Sequence, residues 1–178
     1  VLGWEFEDGI ARLQGLPIAE IVPGQDTWAT YFLSRDLEAD CARVEQLGGK
    51  ILALGAPLAL VLDNSGAMFG LTQPELDRFV AGGEPGTPVW HELTVSANFH
   101  SALDFYGELF NWEIRDDEHY AVAEEEGAAF AGFWHAEGLP SFWQTYLGVR
   151  DIDQAAKAVV DNGGKTVSYT HLRAHETL

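Results

Sequence analysis

The chain has 178 residues, 47% of them apolar and 12% aromatic, which is enough to bury one or two small cores. Its net charge of −18, from 28 acidic against 10 basic residues, repels phosphate backbones and anionic lipid surfaces, so neither a nucleic-acid nor a membrane partner is expected. The single cysteine, Cys41, permits no internal disulfide and points to a reducing cytoplasm, and no apolar run approaches the roughly 20 residues of a membrane span.

In chain order, VLGWEF at Val1 echoes LFNWEI at Leu109, so residues 1–22 are expected to be the last strands of a unit that begins upstream. An alternating strand follows from Thr30 to Leu33 and runs into Arg-Asp. The next stretch repeats apolar residues at helical spacing, with Leu37, Cys41, Val44 and Leu47 on one face and Gly48-Gly49 as the stop. Cys41 is therefore expected to be a buried small hydrophobe and not a nucleophile. After Gly49 two apolar runs flank the turn DNSG, Asp63 to Gly66. The Gly- and Pro-rich stretch VAGGEPGTP, residues 80–88, is predicted to link two domains.

Beyond it the same grammar returns. VWHELTV is a predicted strand, and NFHSALDFYGELF a helix with Asn98 as its cap and Ala102, Leu103, Tyr106, Leu109 and Phe110 on one side. WEIRDDE, HYAVAEEEG and AAFAGFWH supply three further strands, and the acidic runs 116–118 and 124–126 are expected to be solvated at strand ends. The segment from Trp28 to Lys50 then recurs from Trp143 to Lys165 at a constant offset of 115 residues, with Trp, Thr-Tyr, Arg-Asp and Gly-Gly-Lys in register. In this second copy a strand from Thr145 to Val149 precedes a helix capped by Asp151 and Gln154, with Ile152, Ala155, Ala156, Val159 and Val160 on its apolar face. The result is a set of βαβββ units, the first expected to survive only as strands and the fourth only as a strand and a helix.

Repeated βαβββ units carrying HELTV, FYGELFNWE, DNSGAMFGL and the GGK helix stop resemble the vicinal oxygen chelate superfamily, which includes glyoxalase I, bleomycin-resistance proteins and extradiol dioxygenases. The likeness is to two-domain, glyoxalase-like bacterial proteins. It implies an α+β fold in which paired units form two cup-shaped mixed sheets with helices on the outside. The expected division is a first domain over 1–79, a linker over 80–88, a second domain over 89–166, and a tail over 167–178. That tail, VSYTHLRAHET and its final Leu, is similar to the translation of a transposon-end adapter used in sequencing-library preparation and is expected to be non-native. The His171 and His175 pair within it is accordingly not taken as a metal site.

In metal-binding members of the superfamily, a His or Gln on the first strand of each unit and a Glu on the last converge in the cup, leaving positions for two vicinal substrate oxygens. The resemblance puts Glu20 at one such position in the first domain, with Ala29 and Gly70 at two others. In the second domain it puts His91 and Gln144 at ligand positions and Gly132 where a Glu is required. Alanine and glycine offer no side-chain donor. No catalytic metal or other cofactor is therefore expected, a divalent ion held by His91 and Gln144 being the alternative.

Candidate ligand-binding residues are His91, Trp143, Gln144 and Tyr146, with Trp28 and Tyr31 as their counterparts in the first copy. For His91 the structural alternative is a histidine lining the cup and hydrogen-bonded to a neighbour; for the aromatics it is the core. Glu92 alternates with His91 and is expected on the opposite face as a paired or solvated carboxylate. The leading expectation is a protein that holds a small organic molecule in its cup, with a homodimer allowed. The alternatives are a metal-dependent lyase, isomerase or dioxygenase, and an assembly module.

Overall fold

The computed structural model of the protein describes residues 2–21, 27–73, 82–117 and 119–167. Three antiparallel strands open the chain, β1 (Glu5–Glu7), β2 (Ile10–Leu13) and β3 (Leu16–Glu20), and they form a sheet of their own. A complete unit follows: β4 (Tyr31–Leu33), α1 (Leu37–Gln46), β5 (Lys50–Gly55), β6 (Leu58–Leu62) and β7 (Met68–Thr72), in the sheet order β4-β7-β6-β5. The next unit runs through β8 (Pro88–Val95), α2 (Phe99–Phe110), β9 (Glu113–Asp117), β10 (Tyr120–Glu125) and β11 (Ala128–His135). The second copy of the repeat contributes β12 (Phe142–Leu147) and α3 (Ile152–Asp161), and β12 joins the edge of the previous unit to give the order β12-β8-β11-β10-β9.

The fold is α+β, as the sequence led one to expect. In each complete unit the first and last strands pair in parallel, β4 with β7 and β8 with β11, and only a crossover as long as a helix permits that pairing. The first expected sheet is divided among the described residues into three and four strands, because β4 is three residues long and bonds to β7 alone. The tail expectation covers residues 167–178; of these only Val167 is described, fully exposed, and the rest lie outside the described residues. So do Val80 and Ala81 of the expected linker. Its remainder is tied down by turns and by the Trp4 indole, which donates to the Gly86 carbonyl.

One core unites the two complete units. Val44 and Cys41 of α1, Val61 of β6, Phe69 and Leu71 of β7, Phe105 and Tyr106 of α2, and Leu93 and Phe133 beneath it belong to a single buried cluster. The Tyr106 ring lies 5.5 Å from Phe69 on one side and 5.3 Å from Trp143 on the other. Its hydroxyl donates to Asp63 Oδ2 at 2.9 Å and accepts the Trp143 indole N–H at 2.7 Å. Asp63 also accepts the Ser65 and Ala67 amides of its own turn, so the DNSG turn is latched onto α2.

Two local expectations need correcting. Asn98 precedes α2 but does not cap it through its side chain, because its backbone is left-handed (φ 57°) and the amide is not brought to the first helical N–H groups. Glu124, expected in a solvated acidic run, is buried and paired with Arg115 at 2.5 Å. By contrast, Asp151 caps α3 as its sequence implies, and Asp36 caps α1 in the same way, each accepting the amide three residues on.

Candidate functional site

Strand alternation decides which side chains of β8 enter the cup. Leu93 and Val95 are fully buried against the helix side of the sheet, so His91 points to that side as well, while Trp90, Glu92 and Thr94 point to the other. Cross-strand register extends the division. Glu92 stands opposite Gln144 of β12 and Gly132 of β11, and His91 stands opposite Thr145 and Ala131.

The structure therefore brings Gln144 and Tyr146 together on the cup face and does not bring His91 or Trp143 to them. His91 Nδ1 lies 3.2 Å from Thr145 Oγ1, which lies 3.4 Å from Thr30 Oγ1, its counterpart in the repeat. Burial lowers the His91 pKa and favours a neutral imidazole in this seam. Trp143 is a core residue, held by Tyr106. Of the counterparts in the first copy, Trp28 is exposed and stacks edge-on to Trp4, and Tyr31 covers Gly70.

Glu92 occupies the centre of the cup face with 7% of its surface exposed. Its Oε1 accepts the Tyr146 hydroxyl at 3.1 Å and its Oε2 accepts the Tyr120 hydroxyl at 3.2 Å. Burial, and then the charge of Glu92 and the hydrogen bond to it, push the Tyr146 phenol up to about 12. Burial and the same carboxylate raise Tyr120 further, with the nearby Trp90 indole opposing. Both phenols are thus neutral donors at physiological pH. The Trp90 indole N–H is buried without an acceptor in hydrogen-bonding geometry among the described residues. Trp134, half-buried, stands in register with Tyr120 and with Thr94.

The sequence reasoning missed Tyr120, Trp90 and Trp134, and assigned Glu92 only a pairing role. A signal was there. Leu93 and Val95 mark the core parity of β8, and counting back by two puts His91 with the core and Glu92 with Trp90 in the cup.

The residues do not fit a catalytic divalent ion. A Cβ at Gly132, from which the ligand carboxylate would have to extend, falls 2.0 Å from the Tyr120 hydroxyl and 3.1 Å from Trp90 Nε1. A Cβ at Gly70 falls 2.1 Å from the Tyr31 ring. At both positions a tyrosine fills the space that a metal-binding side chain would cross. Glu20 ends β3 in the separate three-stranded sheet, and Ala29 has no donor. No three His, Cys, Asp or Glu side chains converge as a metal site among the described residues.

Comparison with known proteins adds to this geometry. CFP32 of Mycobacterium bovis and of Mycobacterium tuberculosis, provisionally named a glyoxylase, is 25% identical to the chain over 94% of the chain and 76% of its own length. Among solved structures, fosfomycin resistance protein FosX from Mesorhizobium loti aligns with a TM-score of 0.37 at 13% identity, over 66% of this chain and 96% of FosX. A bleomycin resistance determinant encoded on transposon Tn5 aligns with a TM-score of 0.37 at 12% identity, over 65% of this chain and all of that one. No family model matches the chain. No helix among the described residues is long and apolar enough to cross a membrane.

Proposed function

We propose that this chain, which belongs to the vicinal oxygen chelate superfamily by its similarity to the glyoxylase-named CFP32 and its βαβββ order, binds a small organic molecule in the cup of its five-stranded sheet without a catalytic metal. The observation that carries the reading is the cluster of Glu92, Tyr120 and Tyr146. It joins a buried carboxylate and two oriented hydroxyls on one face of the sheet beside the half-buried Trp90 and Trp134, and a few convergent polar groups among aromatic side chains are what a small-molecule site uses. Tyr120 over Gly132 takes up the room a metal-ligand carboxylate would need, so recognition rests on hydrogen bonds and ring faces.

Each residue then has a distinct task. Glu92 accepts hydrogen bonds, Tyr120 and Tyr146 hold it in place, and Trp90 and Trp134 supply apolar area. Gln144, exposed on the edge strand in register with Glu92, offers an amide at the rim. The same reading keeps the protein in the cytoplasm, where the buried Cys41 thiol, raised in pKa by burial and by Asp40 and Glu45, stays reduced and unreactive.

A fragment screen by nuclear magnetic resonance, following the indole N–H signals assigned through Trp90→Phe and Trp134→Phe, tests the proposal. Binding should shift the Trp90 and Trp134 signals and leave the core Trp143 signal in place. A screen in which no compound moves either cup indole would overturn it. In parallel, calorimetric titration with nickel, zinc, iron(II) or manganese should show no site that depends on Glu92, Gln144 or His91. Stoichiometric binding of micromolar affinity would restore the enzyme reading.

A further inference from the structure

We infer that the cleft between α2 and β9, on the face of the five-stranded sheet away from Glu92, is a docking site for a basic segment of a partner polypeptide. It seats one lysine or arginine side chain, with the stem on an apolar floor and the charge against Asp104 and Asp116. The cleft is separate from the cup, so the inference stands apart from the small-molecule reading above.

Register and alternation place the cleft. On β9, Ile114 and Asp116 stand opposite Ala123 and Ala121 of β10, both fully buried, so they lie on the helix side of the sheet. Helix α2 meets them with His100, Asp104 and Glu108 one turn apart along a single ridge, and with Leu103 and Gly107 along the next. The space between them is about 270 Å³ and opens to solvent. That is below the roughly 300–1,000 Å³ of a pocket that engulfs a small-molecule ligand, and it suits a single side chain whose carrier stays outside.

Three observations point to an occupant and to its charge. First, Gly107 sits inside α2 with helical backbone, where glycine is less stable than alanine. Nothing among the described residues requires it, since a Cβ there would meet only Ile114 Cδ1 at 3.7 Å and the Trp112 carbonyl oxygen at 3.8 Å, both ordinary contacts. The missing side chain keeps the cleft open, and a local rule broken without a structural reason marks a functional surface. Second, Asp104 and Glu108 are like charges four residues apart, an arrangement that destabilises a helix and that an incoming cation relieves. Arg43 takes up Glu108, and the His100 imidazole lies 3.0 Å from Asp116 Oδ2, whereas Asp104 has no partner among the described residues. Third, 28 acidic against 10 basic residues attract a basic partner and make a second copy of the chain the poorer fit. A lysine or arginine meets both demands of the cleft, because its methylene stem covers Leu103, Trp112 and Ile114 while its head stays at the acidic rim.

The probes are the acetylated and amidated pentapeptide Ala-Ala-Lys-Ala-Ala, its norleucine and glutamate counterparts, and butylammonium. Each is titrated into the full chain while the backbone amide signals of Gly107 and Asp116 are followed by nuclear magnetic resonance. The lysine peptide should move both signals and bind at least roughly threefold more tightly than the norleucine peptide, the difference shrinking as salt is added, and the glutamate peptide should move neither. Gly107→Leu should fill the cleft, abolish binding and raise the thermal midpoint by about 2 °C, because leucine is the better helix former. Should that variant fail to fold, Asp104→Asn decides: it should weaken the lysine peptide at least about twofold and leave the norleucine peptide and the midpoint unchanged. Equal affinity for the lysine and norleucine peptides, or lysine-peptide binding undiminished by Gly107→Leu, would overturn the inference. So would the absence of any shift at about 10 mM, where even weak sites register. Butylammonium binding as tightly as the lysine peptide would overturn it too, by making the cleft a site for free small cations. None of these outcomes bears on the cup, which the fragment screen tests by itself.

Discussion

Helices α1 and α3 come from the two copies of one repeat, and they differ in what covers them. Leu37, Cys41 and Val44 of α1 correspond to Ile152, Ala156 and Val159 of α3; Asp36 and Asp151 cap the two helices alike, and Gly48 and Gly163 leave them at φ +88° and +85°. Yet Val44 is fully buried while Val159 is 42% exposed, and α3 buries no residue at all among those described. The first copy is followed by β5, β6 and β7, which form the sheet under α1; no described strand follows α3. The apolar stripe is the same local signal in both. What it is worth depends on the layer that arrives afterwards.

The most severe way to break this comparison is a buried charge. Val44→Asp should unfold the protein, at a cost above about 4 kcal/mol, because a carboxylate there has no partner within the core. Val159→Asp should change stability by less than about 0.5 kcal/mol, as surface substitutions do. Equal losses in chemical denaturation would show that α3 is covered after all.

A smaller effect concerns the latch that joins the α1 unit to α2. Tyr106→Phe removes one hydroxyl and strands two buried groups, Asp63 Oδ2 and the Trp143 indole N–H, which should cost about 2 kcal/mol. Asp63, whose pKa is already raised by burial against the pull of its hydrogen bonds, should rise further in that variant. Chemical denaturation monitored by tryptophan fluorescence measures the first effect and carboxyl titration the second.

The caps sharpen the contrast next. Asp36→Ala should lower global stability by about 1 kcal/mol, since α1 is part of the core. Asp151→Ala removes an equivalent bond and should reduce only the hydrogen-exchange protection of α3, with the global transition unmoved. A common loss in the global transition would contradict the assignment of α3 to a separate, uncovered layer.

The smallest effect is a titration. Although α3 is uncovered, the strand before it is held firmly, and the Tyr146 phenol of β12 is pushed up to about 12 by burial and by Glu92. Folded-state retention of this proton contributes stability that is fully present below about pH 10 and is lost as the pH rises through about 12. Near-ultraviolet absorbance should show Glu92→Gln bringing the Tyr146 transition down toward the ordinary phenol value. No change on that substitution would mean that the carboxylate and the hydroxyls are not coupled.

Much of the local architecture was legible from the residues themselves. The 3.6-residue spacing from Leu37 to Leu47 identified α1, the same spacing with the Asp151 cap identified α3, and DNSG identified its turn, because helix periodicity and turn chemistry depend on near neighbours in the chain. The 115-residue offset identified the repeated strand and helix, β4 with α1 and β12 with α3. Only the tertiary structure decided which face of β8 looks into the cup. In a strand, adjacent residues point to opposite sides, so His91 meets Thr145 in the seam while Glu92 meets the Tyr120 and Tyr146 hydroxyls on the other face. Tyr120 reaches Glu92 from a strand 28 residues away, Tyr146 from one 54 residues away, and Tyr106 joins Asp63 to Trp143 across two sheets. Such meetings arise from sheet order and packing, which bring together residues that no local pattern in the chain relates.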